Sequence, residues 1–374
     1  MRVLRLSYSF VPRQGGLEWH VFNLSRCQVS RGHKVSLLTT CEPPTECSFD
    51  VLQCRGPYAS LEKGTVLVAK AIFLFVAFMT CLARRRTLKP DFVHGHGDVL
   101  EAFVIGILGF MFQAKSVLTI HGQFPQIALI RLLGWIGFGL LDGIITVSEP
   151  IATRLRPSQR FRLAVITSGV DMNWVIHKHQ ANDCPLKGQL PSDRKLILSL
   201  ARLAPGKGIE IVLEAMKDVW VRQPEAHLIV AGDGPLRTEL RRADLNFERV
   251  TFLGQVNHAL VPCLLSRCYV LVLASTDSAR GGEGTPTSVL EALASGVPVV
   301  ASLVGGLIDV LRGEMVGMGV EPGDSSALGD RLSYLLDHPE VRNRMSANAR
   351  QVGEAYSWET ITGRVEEFFG EIAG

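Results

Sequence analysis

Glu283 and Glu291 bracket the run Glu-Gly-Thr-Pro-Thr-Ser-Val-Leu-Glu, which follows an apolar strand from Val270 to Ala274. Thr285 suits an N-cap and Pro286 the first helical position. That reading puts Glu283 on the loop before a helix and Glu291 in the helix's second turn. A helix start offers free N–H groups and a positive dipole end, which suit a diphosphate. Gly284, Thr285, Pro286 and Thr287 would form the loop around it. Taken alone, the pair would equally fit a capped helix that carries two surface acids.

A second group lies in Ser199-Leu-Ala-Arg-Leu-Ala-Pro-Gly-Lys-Gly, between a strand and a helix. Arg202 and Lys207 on this glycine-containing loop can neutralise a diphosphate leaving group. A solvated basic loop would read the same way in isolation. It is not a Walker loop, because the G-x-x-x-x-G-K-[ST] spacing fails.

Near the start, Gly15-Gly16 precedes a helix and lets backbone approach a phosphate closely. Glu18 and His20 follow on that helix. His121, in Leu118-Thr-Ile-His-Gly, ends a strand, where it can hydrogen-bond a polar ligand or sit as a satisfied loop histidine. His94-Gly-His96 suggests a metal, but no third ligand is evident nearby, so no metal site is expected. A dinucleotide fold would need G-x-G-x-x-G, and both Gly95-His-Gly97 and Gly232-Asp-Gly234 lack the third glycine. No G-x-S-x-G elbow marks a hydrolase.

The elements that must position these residues alternate. Val3 to Ser7, Lys34 to Thr39, Phe92 to His94, Ser116 to Ile120 and Gly143 to Val147 read as strands separated by helical patterns. The series restarts with Lys195 to Leu200, Ala226 to Ala231, Val250 to Leu253, Val270 to Ala274 and Val297 to Ala301. Strands alternating with helices imply parallel, doubly wound sheets. The 374 residues exceed one ordinary core. The expected fold class is α/β, two facing Rossmann-like doubly wound domains with the ligand in the inter-domain cleft. The expected boundaries are 1–176 for the first domain, 177–194 for a polar linker, 195–355 for the second domain, and 356–374 for a helix packing back across the domains.

Composition narrows the class. Hydrophobic residues make up 47% and charged residues 20%, a globular composition. The net charge of +3 leaves no nucleic-acid footprint. Met1-Arg-Val-Leu-Arg-Leu reads as a strand rather than a signal peptide, so a cytoplasmic protein with reduced cysteines is expected. Val66 to Ala83 is nearly all apolar and is followed by Arg84-Arg85-Arg86; Ile127 to Leu141 is a second apolar stretch. Lys70 interrupts the first. The reading is a core or surface-docking helix and peripheral contact with an anionic membrane surface, on its inner face.

Together these motifs resemble the retaining GT-B glycosyltransferases of the large family 4 type (glycosyl transferases group 1). The likeness runs from Gly-Gly-Leu-Glu-Trp-His at 15–20 through Asp91-Phe-Val-His-Gly-His and Asp142-Gly-Ile-Ile-Thr-Val-Ser. It continues through Ala201-Arg-Leu-Ala-Pro-Gly-Lys-Gly, Val230-Ala-Gly-Asp-Gly-Pro-Leu and Phe252-Leu-Gly to the glutamate pair and Gly296-Val-Pro-Val-Val-Ala.

The resemblance implies transfer of a sugar from a nucleoside-diphosphate-sugar donor to a glycan or lipid-linked acceptor, with retained anomeric configuration and neither metal nor cofactor. It implies that Arg202 and Lys207 bind the donor diphosphate, Glu291 the ribose hydroxyls and Glu283 the donor sugar. Gly16 would approach the phosphates and His121 would sit beside the transferred sugar. The sequence departs from the family pattern at Thr167-Ser168 in place of Pro-Asn, at Ala201 in place of Gly, and at Gly284-Thr-Pro-Thr. These positions shape the donor loop, and so bear on the sugar rather than the reaction class. A nucleotide-sugar 2-epimerase of the same fold and a non-catalytic nucleotide-sugar-binding protein are the alternatives.

Overall fold

The computed structural model describes residues 1–13, 15–42, 44, 47–58, 66–122, 134–155, 161–177, 185–242, 248–276, 284–312 and 315–374. The chain forms two units, Met1–Gly169 with Arg280–Gly284 and Trp358–Gly374, and Val170–Ala279 with Thr285–Ser357. Each is built on one wholly parallel sheet, as the strand–helix alternation of the sequence requires.

The first sheet contains β1 (Arg2–Ser7), β2 (Lys34–Thr39), β3 (Asp50–Gln53), β4 (Phe92–Gly97), β5 (Lys115–Ile120), β6 (Gly143–Thr146) and β7 (Arg162–Val165), in the order β3-β2-β1-β4-β5-β6-β7. Its interior strands are buried on both faces, but β1 and β4 bury Arg5, His94 and His96 among their apolar residues. Gly95 interrupts β4 for a packing reason: a Cβ there would stand 1.7 Å from Ile105 Cδ1 on the helix Val99–Phe112. The C-terminal helix Trp358–Ala373 belongs to this unit and stacks Phe369 on Phe92 at 4.4 Å.

The apolar helix Val66–Ala83 buries Ala69, Phe73, Leu74, Ala77 and Cys81 in the first unit's core. Lys70 reaches across to Asp98 at 2.7 Å and to Glu101 at 3.5 Å. Those two carboxylates also form the capping box that starts the neighbouring helix. Burial raises the Glu101 carboxyl to about 7, while Lys70 holds Asp98 below its ordinary value despite burial. By length and composition the helix could cross a membrane, yet its one charge is spent on a partner within its own unit. Of the second apolar stretch, residues 127–133 lie outside the described residues.

The second sheet contains β8 (Lys195–Leu200), β9 (Ala226–Ala231), β10 (Val250–Gly254), β11 (Val270–Leu273), β12 (Val299–Ser302) and β13 (Gly317–Val320), in the order β10-β9-β8-β11-β12-β13. In both sheets the order reverses beside the first strand, between β1 and β4 and between β8 and β11. Ligands of open α/β sheets bind outside the carboxyl ends of strands at such a switch. Of the polar segment 177–194, residues 178–184 lie outside the described residues, while Leu186 and Leu190 are buried in the second core.

Cys27, Cys41, Cys47, Cys54, Cys81 and Cys268 are free thiols. Cys263 is disulfide-bonded, which corrects the expectation of reduced cysteines throughout.

Candidate active site

In the second unit, the loop after β8 is shaped by glycines. Gly208 takes φ +66°, and a Cβ there would stand 1.8 Å from the Ala274 carbonyl oxygen. Gly232 and Gly234 also have positive φ, and their Cβ atoms would meet the Ala201 and Leu203 carbonyls at 1.9 and 2.3 Å. Only glycine admits these approaches. Three backbone hydrogen bonds complete the loop: Leu203 N to Asp233 O, Leu236 N to Leu203 O, and Lys207 N to Ala204 O. Arg202 is exposed and Lys207 half-buried on this frame.

The loop after β11 joins it. Thr276 N donates to Gly206 O at 3.0 Å, so the two segments at the switch are hydrogen-bonded to each other. Residues 277–283 lie outside the described residues, and Glu283 is among them. Gly284 belongs to the first unit and Thr285 to the second.

The helix spans Thr287–Ala294 with Pro286 at the N-cap, one residue later than the sequence reading, which put Thr285 at the cap. The reason is that the Thr285 hydroxyl donates to the Gly306 carbonyl at 3.4 Å and caps nothing. Thr285, Pro286 and Thr287 are half-buried at the helix start. Glu291 lies in the second turn as expected, and it is buried.

Glu291 has a partner that sequence reasoning missed. His258 Nε2 lies 2.8 Å from Glu291 Oε1. The Trp174 indole stacks on the His258 ring at 4.3 Å with 6° between planes. The signals were present: His258 follows the carboxyl end of β10, and Trp174 follows Gly169-Val-Asp within four residues of the second unit's start.

In the first unit, Gly16 begins the helix Gly16–Ser30 and is exposed. His121 follows β5 and is half-buried. Here folding supplies what spacing did not show. His20, His96 and His121 converge, each offering a ligand atom within 4.8 Å of the others. His96 Nδ1 is 3.1 Å from His121 Nε2, and His20 Nδ1 is 3.2 Å from Ser168 Oγ. Beneath them Arg5 is fully buried; its Nη2 donates to Gln28 Oε1 at 2.7 Å and to His94 Nδ1 at 3.3 Å. His94 Nε2 must then carry the proton and donates to Thr119 Oγ1 at 2.8 Å.

Burial is the main cause that holds His20, His94 and His96 well below the usual imidazole range, with the neighbouring charges of Arg5 and the other histidines adding to it. Burial likewise lowers His121 to about 4. These rings are neutral near pH 7, so they hydrogen-bond or ligate rather than carry charge. The period of two along a strand places His94 and His96 on one side of the sheet, a signal legible in His-Gly-His.

Two parallel doubly wound units, with a basic glycine-framed loop and a helix start at the second unit's switch point, have the architecture of a GT-B glycosyltransferase. The structure of Anabaena HepE in complex with UDP-glucose matches this fold with a TM-score of 0.76 and 19% identity, covering 99% of this chain and 100% of that one. The sequence places the protein more narrowly. Residues 185–352 match the family "Glycosyl transferases group 1", and residues 14–174 match "Glycosyltransferase Family 4". An uncharacterized glycosyltransferase of Methanocaldococcus jannaschii is 34% identical over 96% of this chain and 96% of its own. The phosphatidyl-myo-inositol mannosyltransferase of Mycobacterium tuberculosis is 27% identical over 98% of this chain and 96% of its own. The chain belongs to the glycosyl transferases group 1 family, whose chemistry is nucleotide-sugar-dependent sugar transfer.

Proposed function

We propose that the protein is a retaining, metal-independent hexosyltransferase whose donor site lies on the loops at the β8–β11 switch. The observation that carries this is the hydrogen bond from Thr276 N to Gly206 O. It ties the Arg202–Lys207 loop to the segment leading toward the helix Thr287–Ala294.

On this reading Arg202 and Lys207 bind the diphosphate and offset the charge that grows on it as the bond to the anomeric carbon breaks. The helix start adds its dipole. Glu291 accepts from the ribose hydroxyls, with its carboxylate oriented by His258. Glu283 contacts the donor sugar, Gly284 to Thr287 form the loop around the phosphates, and Gly16 gives backbone access to a phosphate. His121, neutral near pH 7, is a hydrogen-bond partner of the transferred sugar. The acceptor hydroxyl attacks the face that the diphosphate leaves, and a departing phosphate oxygen takes its proton, so configuration is retained without a protein nucleophile.

The acceptor is read as lipid-linked or membrane-presented, and the enzyme as cytoplasmic and peripheral on the membrane's inner face. Val66, Phe75, Met79 and Leu82 are exposed on the helix Val66–Ala83, and Phe103 and Phe110 are exposed on the helix packed beside it. Arg84, Arg85 and Arg86 follow, all exposed. An apolar face flanked by cations suits an anionic bilayer. The lipid substrate named for the mycobacterial relative agrees with this reading.

A thermal-shift panel of UDP, GDP, ADP and NAD tests the donor site. Ligand at a hundred times its dissociation constant stabilises by about 2.7 kcal/mol. One nucleoside diphosphate should shift the folded protein, and Glu291→Ala should abolish the shift. A response to NAD alone, or to none of the four, would overturn the reading. Donor turnover without any acceptor would instead identify an epimerase.

A further inference from the structure

We infer that His96 is a positioning residue for the transfer step: its Nδ1–H donates to His121 Nε2 and so fixes His121 as a donor, through Nδ1–H, to an oxygen of the transferred sugar. The inference rests on the place proposed for His121 beside that sugar, and adds the direction of its hydrogen bond. His96 is buried on β4, and its Nδ1 stands 3.1 Å from His121 Nε2. His121 follows β5, the neighbouring strand, and is half-buried. Two imidazole nitrogens that meet in this way hold one proton between them, so each ring dictates the tautomer of the other.

The count of protons sets the direction. Burial holds His96 well below the usual imidazole range and lowers His121 to about 4, so each ring is neutral near pH 7 and carries one proton. If His121 donated through Nε2, His96 would have to carry its own proton on Nε2. That nitrogen is buried and has no hydrogen-bond partner among the described residues. A buried N–H without an acceptor is rarer in folded proteins than an under-satisfied acceptor. The proton of His96 therefore sits on Nδ1, and its Nε2 keeps a lone pair. His121 Nε2 is then the acceptor, and the one proton of His121 is left on Nδ1.

The neighbouring rings agree with this assignment. His94 offers no acceptor to His96, because its Nδ1 accepts from Arg5 at 3.3 Å and its Nε2 donates to Thr119 Oγ1 at 2.8 Å. His20, held by Ser168 Oγ at 3.2 Å, meets His121 edge to face with ring centroids 4.7 Å apart. That packing restricts the His121 ring, so the direction of its Nδ1–H is set as well as its tautomer. A neutral donor holds a sugar oxygen without placing positive charge beside the anomeric carbon, where positive charge grows as the bond to the diphosphate breaks.

The test is ¹⁵N NMR of the full chain labelled at histidine, with His121 assigned by the signals lost in His121→Gln. The wild type should show His121 protonated at Nδ1 and bare at Nε2. In His96→Leu, which removes the donor at similar bulk, the His121 proton should redistribute between the two nitrogens. In His96→Asn, whose side-chain amide can stand where Nδ1 stands, it should stay on Nδ1. In the transfer assay, kcat should fall about tenfold in His96→Leu, as for one lost hydrogen bond, and largely recover in His96→Asn. Affinity for the nucleoside diphosphate should be unchanged in both. His121 protonated at Nε2 in the wild type would overturn the assignment, and that reading needs no variant to fold at position 96. An unchanged His121 tautomer, or an unchanged kcat, in folded His96→Leu would overturn it too. The tautomer is read without any donor, so its failure is distinguishable from a failure of sugar transfer itself.

Discussion

His258 Nε2 stands 2.8 Å from Glu291 Oε1, and the Trp174 ring lies flat on the histidine at 4.3 Å. The stack restricts the imidazole, and the imidazole in turn fixes one oxygen of a buried carboxylate. On the proposed reading, the other oxygen of Glu291 is the one that meets the donor. His258→Ala should raise the dissociation constant of the bound nucleoside diphosphate about tenfold, equal to about 1.4 kcal/mol, with little change in kcat. His258→Gln, which keeps a donor, should recover part of the loss. Isothermal titration reads both, and equal affinity in wild type and His258→Ala would remove His258 from the site.

Lys207 sits, half-buried, on a loop whose path is set by the glycine–carbonyl approaches at Gly208, Gly232 and Gly234. If it offsets charge on the departing diphosphate, Lys207→Ala should cost about 3 kcal/mol of transition-state stabilisation, comparable to losing one oxyanion donor. That is roughly a hundredfold fall in turnover. Initial rates at saturating donor check it, and an unchanged kcat would sink the assignment.

The two glycines Gly32 and Gly208 separate backbone conformation from close approach. Both have positive φ, +84° and +66°. A Cβ on Gly32 meets nothing within 4 Å, whereas one on Gly208 meets the Ala274 carbonyl oxygen at 1.8 Å. Gly32→Ala should therefore cost only the left-handed backbone penalty, about 1–2 kcal/mol. Gly208→Ala should add an overpacking cost of about 1–3 kcal/mol and weaken diphosphate binding by displacing the loop. Urea unfolding compares them; equal losses would refute the close-approach argument.

The fold was legible in the sequence because most interior strands are rich in apolar residues and alternate with helical patterns, even where β1 and β4 bury Arg5, His94 and His96. The strands that escaped notice, β3, β7 and β13, all lie at sheet edges. β13 is Gly-Met-Gly-Val, with little strand propensity. It pairs with β12 because Gly317 leaves room for the Val299 carbonyl, which a Cβ would approach to 2.0 Å. The Arg202–Lys207 loop and Glu291 were readable from local spacing. His258 and Trp174 were not, since they reach Glu291 from separate segments. For the same reason His20 and His121 gave no sequence sign of meeting His96, because only the sheet order brings the ends of β4 and β5 beside the helix after β1.

The exposed apolar face of the helix Val66–Ala83 leads to a further expectation. Wild type should co-sediment with vesicles containing phosphatidylserine and much less with neutral vesicles. Replacing Arg84, Arg85 and Arg86 by Gln should weaken binding by about 1 kcal/mol per residue at low salt. Phe75→Asp should weaken it at every salt concentration, because Phe75 is 65% exposed and its contribution is apolar. Equal recovery of all variants with anionic vesicles would argue against docking through this face.

The histidine cluster makes the fold acid-sensitive, and the sign follows from the direction of the shifts. His20, His94 and His96 have folded pKa values well below 6.5, and His121 is lowered to about 4. His227 is shifted the same way. Below about pH 6.5 the unfolded chain takes up protons that the folded chain refuses, so stability rises with pH across this window. It is fully present above the unfolded pKa and is lost as pH falls toward 4. Glu101 opposes the trend, since its folded value is raised to about 7 and its burial favours the folded state at lower pH. One carboxyl acts against several histidines, each with a slope of up to about 1.4 kcal/mol per pH unit. The urea midpoint should therefore fall between pH 7 and pH 5. His94→Gln, which keeps a hydrogen-bonding side chain without a titrating ring, should flatten that slope even if it lowers stability at pH 7. A midpoint independent of pH across this range would mean that these rings are protonated as easily in the folded protein as in the unfolded chain.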